Sequence, residues 1–222
     1  PYFSEIACAQ QKMHQGSKVL LSLKETKSAI SVNLLDQFHA DLDNLHESFE
    51  TLVDEFSELL HTRDPLTGAS NRTNLVENLQ KEHELCKRKS LSCALIMIDL
   101  DHFKQVNDEF GHAAGDKVLI ALVKCIKSHL RKYDQLYRYG GEEFLVCLPQ
   151  TELEGAKSLS ERLRAGVSGL KIEIGKGKHI NVTGSFGVSL INADDDIEAA
   201  IERADEAMYQ AKKSGRNRVC AA

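Results

Sequence analysis

The stretch QLYRYGGEEFLVCL, residues 135–148, decides the fold. Two strand-like runs, 135–139 and 143–148, flank Gly140 and Gly141. A glycine pair between such runs signals a hairpin, because the primed turns that match strand twist need positive φ. A hairpin makes its strands antiparallel neighbours. Upstream, SCALIMIDL (residues 92–100) is an apolar run closed by acids, and it reads as a buried strand. Downstream, a second hairpin is expected over 171–191, turning at 175–177.

Helices fill the intervals. One is capped by Ser70 or Asn71 and runs to about Lys89; others cover about 114–130 and 152–168. The last is amphipathic, with Ile197, Ala200, Ile201, Ala204, Ala207, Met208 and Ala211 on one face. The order is helix, strand, helix, helix, hairpin, helix, hairpin, helix. It predicts an α+β fold, a mainly antiparallel sheet flanked by helices, compatible with the palm of nucleotide cyclases and polymerases.

The region before this fold has a different grammar. Residues 1–62 contain no glycine but Gly16 and no proline after Pro1, and they read as helix throughout. Leu35, Phe38, Leu42, Leu45, Phe49, Leu52, Phe56 and Leu59 alternate in steps of three and four. That seam predicts a coiled coil, pairing with a second copy or a neighbouring helix; packing on the chain's own globular domain is the alternative. A looser rhythm in Ile6, Met13, Leu20, Leu23 and Ile30 slips phase near residues 30–35, so one long helix and two helices both remain open. Two domains follow: a helical coiled-coil dimerisation and signalling region, 1–62, and a globular domain, 63–222. RDPLTGASNR (residues 63–72) links them with turn chemistry.

With 42% hydrophobic and 27% charged residues, the composition is that of an ordinary globular protein. A net charge of −5 and the lack of a basic stretch interleaved with aromatics disfavour a nucleic-acid binder. No apolar run approaches the roughly 20 residues of a membrane span, and no signal peptide is visible. Six scattered cysteines without a CxxC read as reduced thiols in the cytoplasm. A chain opening at Pro1 is expected to be a fragment, whose missing upstream part could hold a sensor or a membrane anchor.

Asp99 and Asp101 end the buried strand, and Glu142 and Glu143 follow the glycine turn. Carboxylates on two neighbouring strands are what hard divalent cations and two-metal phosphoryl transfer require. A zinc site from Cys8, His14, His39 and His46 is disfavoured. His39 and His46 stand about 10 Å apart along a helix, so a site would need ligands from another helix.

Four ordered motifs carry a resemblance. RYGGEEF (138–144), DLDHFKQVNDEFGHAAGD (99–116), DPLTG (64–68) and ADEAMYQAKKSGRNR (204–218) resemble the GGDEF family of diguanylate cyclases, in its GGEEF form. The resemblance covers about residues 63–220. It implies condensation of two GTP into cyclic di-GMP and two pyrophosphates, with Mg²⁺ or Mn²⁺ as cofactor. Asp99, the Leu100 carbonyl, Glu142 and Glu143 would hold the metal. Glu142 would take the ribose 3′-hydroxyl proton, with Glu143 assisting. Lys104 and the backbone around Phe103 would bind phosphates, and Lys212 and Arg216, one helical turn apart, would grip the γ-phosphate side. Asn107 and Asp116 would read guanine, whose N1–H adenine lacks. His112 either lines that pocket or is bonded to loop backbone. Arg162 matches a family arginine, and alone it is equally a surface residue. Arg131 and Asp134 form an RxxD in the register of the family's product-inhibition site.

The resemblance implies one GTP in each site, so two copies would have to face each other, and a homodimer through the N-terminal helices would tether them. The competing readings are a catalytically silent domain that binds GTP or cyclic di-GMP as effector, an enzyme taking ATP, and an interaction module.

Overall fold

The computed structural model describes residues 2–73, 75–89, 91–175, 177–192 and 196–222, without the side chains of residues 2–5 and 55–61. Seam positions Phe56 and Leu59, and Lys176 in the expected second turn, thus lie outside the described side chains or residues. The chain divides into two compact units, Pro1–His61 and Thr62–Ala222.

In the first unit the phase slip is a break between two helices, α1 (Tyr2–Glu25) and α2 (Val32–Thr62). Lys27 turns left-handed (φ 52), and Ser28 N–H donates to the Leu23 carbonyl at 2.9 Å, closing α1 in a Schellman motif. Ser31 caps α2: its hydroxyl accepts from Leu34 N–H at 3.3 Å. Gly16 of α1 faces Phe38 of α2, so closely that a Cβ there would stand 3.1 Å from the ring. The chain therefore doubles back as a helical hairpin. The seam is shared unequally: Phe38, Leu45 and Leu52 are half-buried, while Leu35, Leu42 and Phe49 are 38–48% exposed. No helix among the described residues is long and apolar enough to cross a membrane.

The second unit runs α3 (Leu75–Arg88), β1 (Cys93–Leu100), α4 (Phe103–Phe110), α5 (His112–His129), β2 (Gln135–Arg138), β3 (Glu143–Pro149), α6 (Leu153–Ser168), β4 (Ile172–Gly175), β5 (Lys178–Ile180), β6 (Gly184–Ile191), α7 (Ile197–Lys213) and β7 (Val219–Ala221). The main sheet has the order β2-β3-β1-β6-β7, antiparallel except for the β6–β7 pair. β1 lies at its centre and is buried along its whole length.

The two-residue period of β1 sorts its side chains into two cores. Ala94, Ile96, Ile98 and Leu100 join Val118 and Leu122 of α5 and Ala156 and Leu163 of α6. Cys93, Leu95 and Met97 join Leu75 and Leu79 of α3 and Ala200, Ala204 and Met208 of α7. Helices thus cover both faces of an α+β sheet. At Gly187 of β6 the helix α7 comes so close that a Cβ would overlap the Ala204 carbonyl and the Met208 amide.

Two expectations about the strands need correction. The hairpin expected over 171–191 is shorter: β4 and β5 pair alone in a second sheet, while β6 leaves it to flank β1. Apolar alternation in β6 is satisfied by the main core, which outweighs continuing the local hairpin. The Gly140-Gly141 hairpin forms, but neither glycine has positive φ, so the turn is not a primed one. It is wider, with Tyr139 and Gly140 amides both donating to the Glu143 carbonyl at 2.8 and 3.1 Å. Gly140 is needed for space instead, because the Glu143 carboxylate lies where its Cβ would stand. The helix expected from about 114 begins at His112, and α4 forms a separate helix before it.

Candidate functional site

The sheet register brings the acids together. Asp99, near the end of β1, lies opposite Glu143 of β3 on one side and Ser185 of β6 on the other. Glu142 precedes Glu143 at the mouth of the hairpin. Burial pushes the Asp99 carboxyl above its ordinary range; Lys212 opposes the shift, and the charges of Asp101 and Asp205 add to it. Burial, and then the Asp99 charge, raise Glu142 and Glu143 as well. Lys212 Nζ, from the last turn of α7, pairs with Asp99 at 2.7 Å. Such a corner holds more negative charge than its own cation relieves, and its donors are hard oxygens, which fits a divalent cation such as Mg²⁺. Among the described residues no three His, Cys, Asp or Glu side chains close around one ion, and Cys8, His14, His39 and His46 form no such group. Mg²⁺ commonly takes one or two carboxylates, with waters and substrate phosphates completing its shell.

Asp101 does not belong to that corner as a free ligand. It accepts hydrogen bonds from the Thr183 and Ser185 hydroxyls, both at 2.7 Å, and from Asn217 N–H at 3.0 Å. The sequence shows two strand-end acids alike, and only the tertiary contacts separate them.

Next along the chain, His102 adopts a left-handed conformation (φ 59) and starts α4 without a side-chain cap. The first amides of α4, at Phe103 and Lys104, are left for an outside acceptor, the arrangement that suits phosphate oxygens. Phe103 is buried and Lys104 is exposed beside it. Asn107, one turn on, is half-buried, and Asp116 and His112 are exposed on α5. Gly115 lies directly under Asn107, where a Cβ would overlap Oδ1. Gly115 thus makes room for the Asn107 side chain; sequence reasoning carried it only inside the motif of residues 99–116 and gave it no role.

Lys212 and Arg216 do not share a helical face. Helix α7 ends at Lys213, with Arg216 N–H donating to the Ala211 carbonyl at 3.0 Å and Gly215 at φ 116. This Schellman closure puts Arg216 in the turn beyond the helix, itself left-handed at φ 62. Arg162 is exposed on α6, and no described contact joins it to the acidic corner.

Arg131 and Asp134 line a cavity of about 550 Å³ with Arg63, Lys127 and Lys132. Asp134 also accepts the Arg131 amide at 2.7 Å, which shapes the turn. Between this cavity and the hairpin stands a brace absent from the sequence reading. Arg138 donates to both Asp64 oxygens at 3.1 and 2.9 Å, and to the Gly141 carbonyl at 2.7 Å. Burial alone would raise the Asp64 carboxyl, but hydrogen bonds from Thr67 and Arg138 outweigh it and hold the group below its ordinary value. The Gly68 carbonyl in the same DPLTG turn accepts from Lys127 at 2.7 Å and Arg63 at 3.1 Å. No local signal pairs positions 64 and 138.

Comparison with known proteins bears on this arrangement. The family model described as diguanylate cyclase, GGDEF domain, matches residues 61–218. Diguanylate cyclase DgcP of Pseudomonas aeruginosa is 44% identical over 156 residues, covering 70% of this chain and 23% of that protein. The structure of diguanylate cyclase SiaD in complex with its activator SiaC, from Pseudomonas aeruginosa, matches with a TM-score of 0.71 at 35% identity, covering 99% of this chain and 83% of that one. The coiled coil and GGDEF domain of DgcB from Caulobacter crescentus, in complex with c-di-GMP, matches with a TM-score of 0.74 at 28% identity, covering 83% and 98%. The chain spans only 23–39% of the first curated relatives it matches.

Proposed function

The chain belongs to the GGDEF-domain family of diguanylate cyclases, and from that premise we propose that it condenses two GTP into cyclic di-GMP, releasing two pyrophosphates. The observation that carries the proposal is the acidic corner of Asp99, Glu142 and Glu143, its carboxyls raised by burial and Lys212 its internal cation. In this reading one or two carboxylates of the set Asp99, Glu142 and Glu143, with the Leu100 carbonyl, would hold Mg²⁺ or Mn²⁺, which would polarise the reacting phosphate and stabilise its developing charge.

The other residues bind and orient. Asn107 and Asp116 take the guanine edge: a carboxylate accepts from N1–H and the amino group. His112 lines the same pocket, and Arg162 is carried as a further substrate contact. The first turn of α4 at Phe103, with Lys104, binds phosphate oxygens, and Lys212 and Arg216 meet the outer phosphates. Glu142 accepts the proton of the ribose 3′-hydroxyl. The freed oxygen attacks the α-phosphorus of the facing GTP, the bond from that phosphorus to the bridging oxygen of the β-phosphate breaks, and pyrophosphate leaves with the electron pair. The raised carboxyl of Glu142 suits this base, because proton transfer works best when acid and base values approach the working pH.

Two sites must face one another, so the active species is a homodimer. The exposed seam of Leu35, Leu42 and Phe49 supports the N-terminal helices as its interface. Cyclic di-GMP returning to the basic cavity of Arg131 and Asp134 would inhibit. GTP being an intracellular nucleotide, the cyclase unit works in the cytoplasm.

The test is turnover of GTP with Mg²⁺, following cyclic di-GMP and pyrophosphate, beside Glu142→Gln. Product from the wild type and at least a hundredfold less from the variant, the usual loss of a general base, is the expected result. A dimer that binds GTP and makes no product would overturn it in favour of an effector that reads GTP or cyclic di-GMP.

A further inference from the structure

Asp101 has no task in the chemistry above, yet with Asp99 it is one of the two buried charged residues among the described ones, 6% exposed. Its described bonds lead to two places. Thr183 and Ser185, before and within β6, supply hydroxyl donors at 2.7 Å, and the Asp101 amide donates to the Thr183 carbonyl at 2.9 Å. The third donor, the Asn217 amide at 3.0 Å, comes from the turn after α7.

That turn is strained. Gly215, Arg216 and Asn217 are successively left-handed, at φ 116, 62 and 45. Two of them carry side chains, and such backbone persists only where its surroundings over-determine it. Arg216 N–H anchors it to the Ala211 carbonyl of α7, and just beyond it Phe186 N–H of β6 donates to the Arg218 carbonyl, both at 3.0 Å. Arg164 of α6 donates to Asn217 Oδ1 at 3.0 Å, Arg218 Nε donates to the Arg216 carbonyl at 3.1 Å, and Asp101 takes the Asn217 amide. Among the described contacts, Asp101 is the one that ties the turn to the end of β1, the strand that carries Asp99. The end of β1 thus meets the end of α7 twice, through Asp99 with Lys212 and through Asp101 with Asn217. Arg216 lies between those two points in the chain.

We infer that Asp101 is a positioning residue: it locks the left-handed turn after α7 onto the end of β1 and so fixes where Lys212 and Arg216 stand for the outer phosphates of the nucleotide. The inference rests on the proposed reading of those two cations as phosphate ligands. A carboxylate is suited to this, because it accepts three donors at once, whereas an amide keeps only part of that capacity. The paired acids of Asp99-Leu100-Asp101 then divide their labour, one left for the cation and one spent on geometry.

The experiment measures binding of a non-hydrolysable GTP analogue and of GMP to the full chain, for the wild type, Asp101→Asn and Ser185→Ala. GMP lacks the outer phosphates, so its affinity reports on the guanine pocket and on general folding. The ratio of analogue affinity to GMP affinity is expected to fall roughly tenfold in Asp101→Asn, the loss of about one charge-assisted contact. Ser185→Ala, which removes one donor, should lower the ratio less and keeps the test open if Asp101→Asn does not fold. An unchanged ratio in the folded variants, or equal losses for both ligands, would overturn the role of Asp101. A wild type that binds both ligands equally would overturn the reading of Lys212 and Arg216, and the positioning role with it.

Discussion

Asp99 and Asp64 show how the same residue type is turned in opposite directions. Asp99 is held up by burial and neighbouring acids, and Asp64 is held down by Thr67 and Arg138. The consequences for stability have opposite sign. Asp99, Glu142 and Glu143, raised in the fold, bind more protons folded than unfolded, so their ionisation costs stability as pH rises through their folded values. Asp64 contributes stability above its ordinary value, and this is lost only as pH falls through its lowered folded value. Above the ordinary carboxylate range the acidic corner therefore decides the trend. Added Mg²⁺ should raise the thermal midpoint by a few degrees at neutral pH and by less at a mildly acidic pH, because the raised carboxyls take up protons first and the ion binds their ionised folded form. Thermal melts with and without Mg²⁺ at the two pH values check this, and an equal shift at both would contradict the account.

At the scale of elements, β1 is the axis: β3 and β6 both pair with it, and its two faces feed two cores. Its register carries Asp99 to Glu143, and α7 brings Lys212 to the same corner. The seating of α7 depends on Gly187, where the helix backbone touches the strand. Gly187→Ala should cost at least roughly 1–3 kcal/mol, the usual range for overpacking a filled core. Gly141→Ala is the control, since no atom lies within 4 Å of its added Cβ, and it should stay within about 0.5 kcal/mol. Urea unfolding of the three proteins measures both. Equal midpoints for Gly187→Ala and the wild type would mean that α7 can lift off β6 without loss.

For the molecule as a whole, the proposed reaction would require what one chain lacks, a second site opposite the first. The exposed half of the α2 seam is where a second copy would fit. Phe49, 48% exposed in one chain, sits at a seam position, and Phe49→Glu would put a charge into a helix–helix interface. Sedimentation should show the wild type as a dimer and the variant shifted to monomer. Turnover of the variant should recover as protein concentration rises, because mass action replaces the lost tether. A variant that stays dimeric would assign the interface to other surfaces.

Much of this was legible in the residues themselves. Strand and helix periods, the turn residues and the seam are local, and local sterics and amphipathicity determine them. So the α+β order, the position of the hairpin and the break candidate near residue 30 could all be read without a structure. The motifs likewise brought Asp99, Glu142, Asn107 and Asp116 to notice as a set. What depended on contacts between distant parts of the chain could not be read. The strand β6 left its hairpin because β1 offered it a core. The Gly140-Gly141 turn widened, with Glu143 folding over Gly140. Arg216 fell beyond the end of α7, and Arg138 found Asp64 across 74 positions of sequence. Asp99 and Asp101, one in the strand β1 and one just past its end, were told apart only by Lys212, Thr183, Ser185 and Asn217. The sequence determined which groups are available and in what order; packing of distant segments decided which of them are left free to act, because a buried polar group is committed by whichever donors or acceptors the fold brings to it.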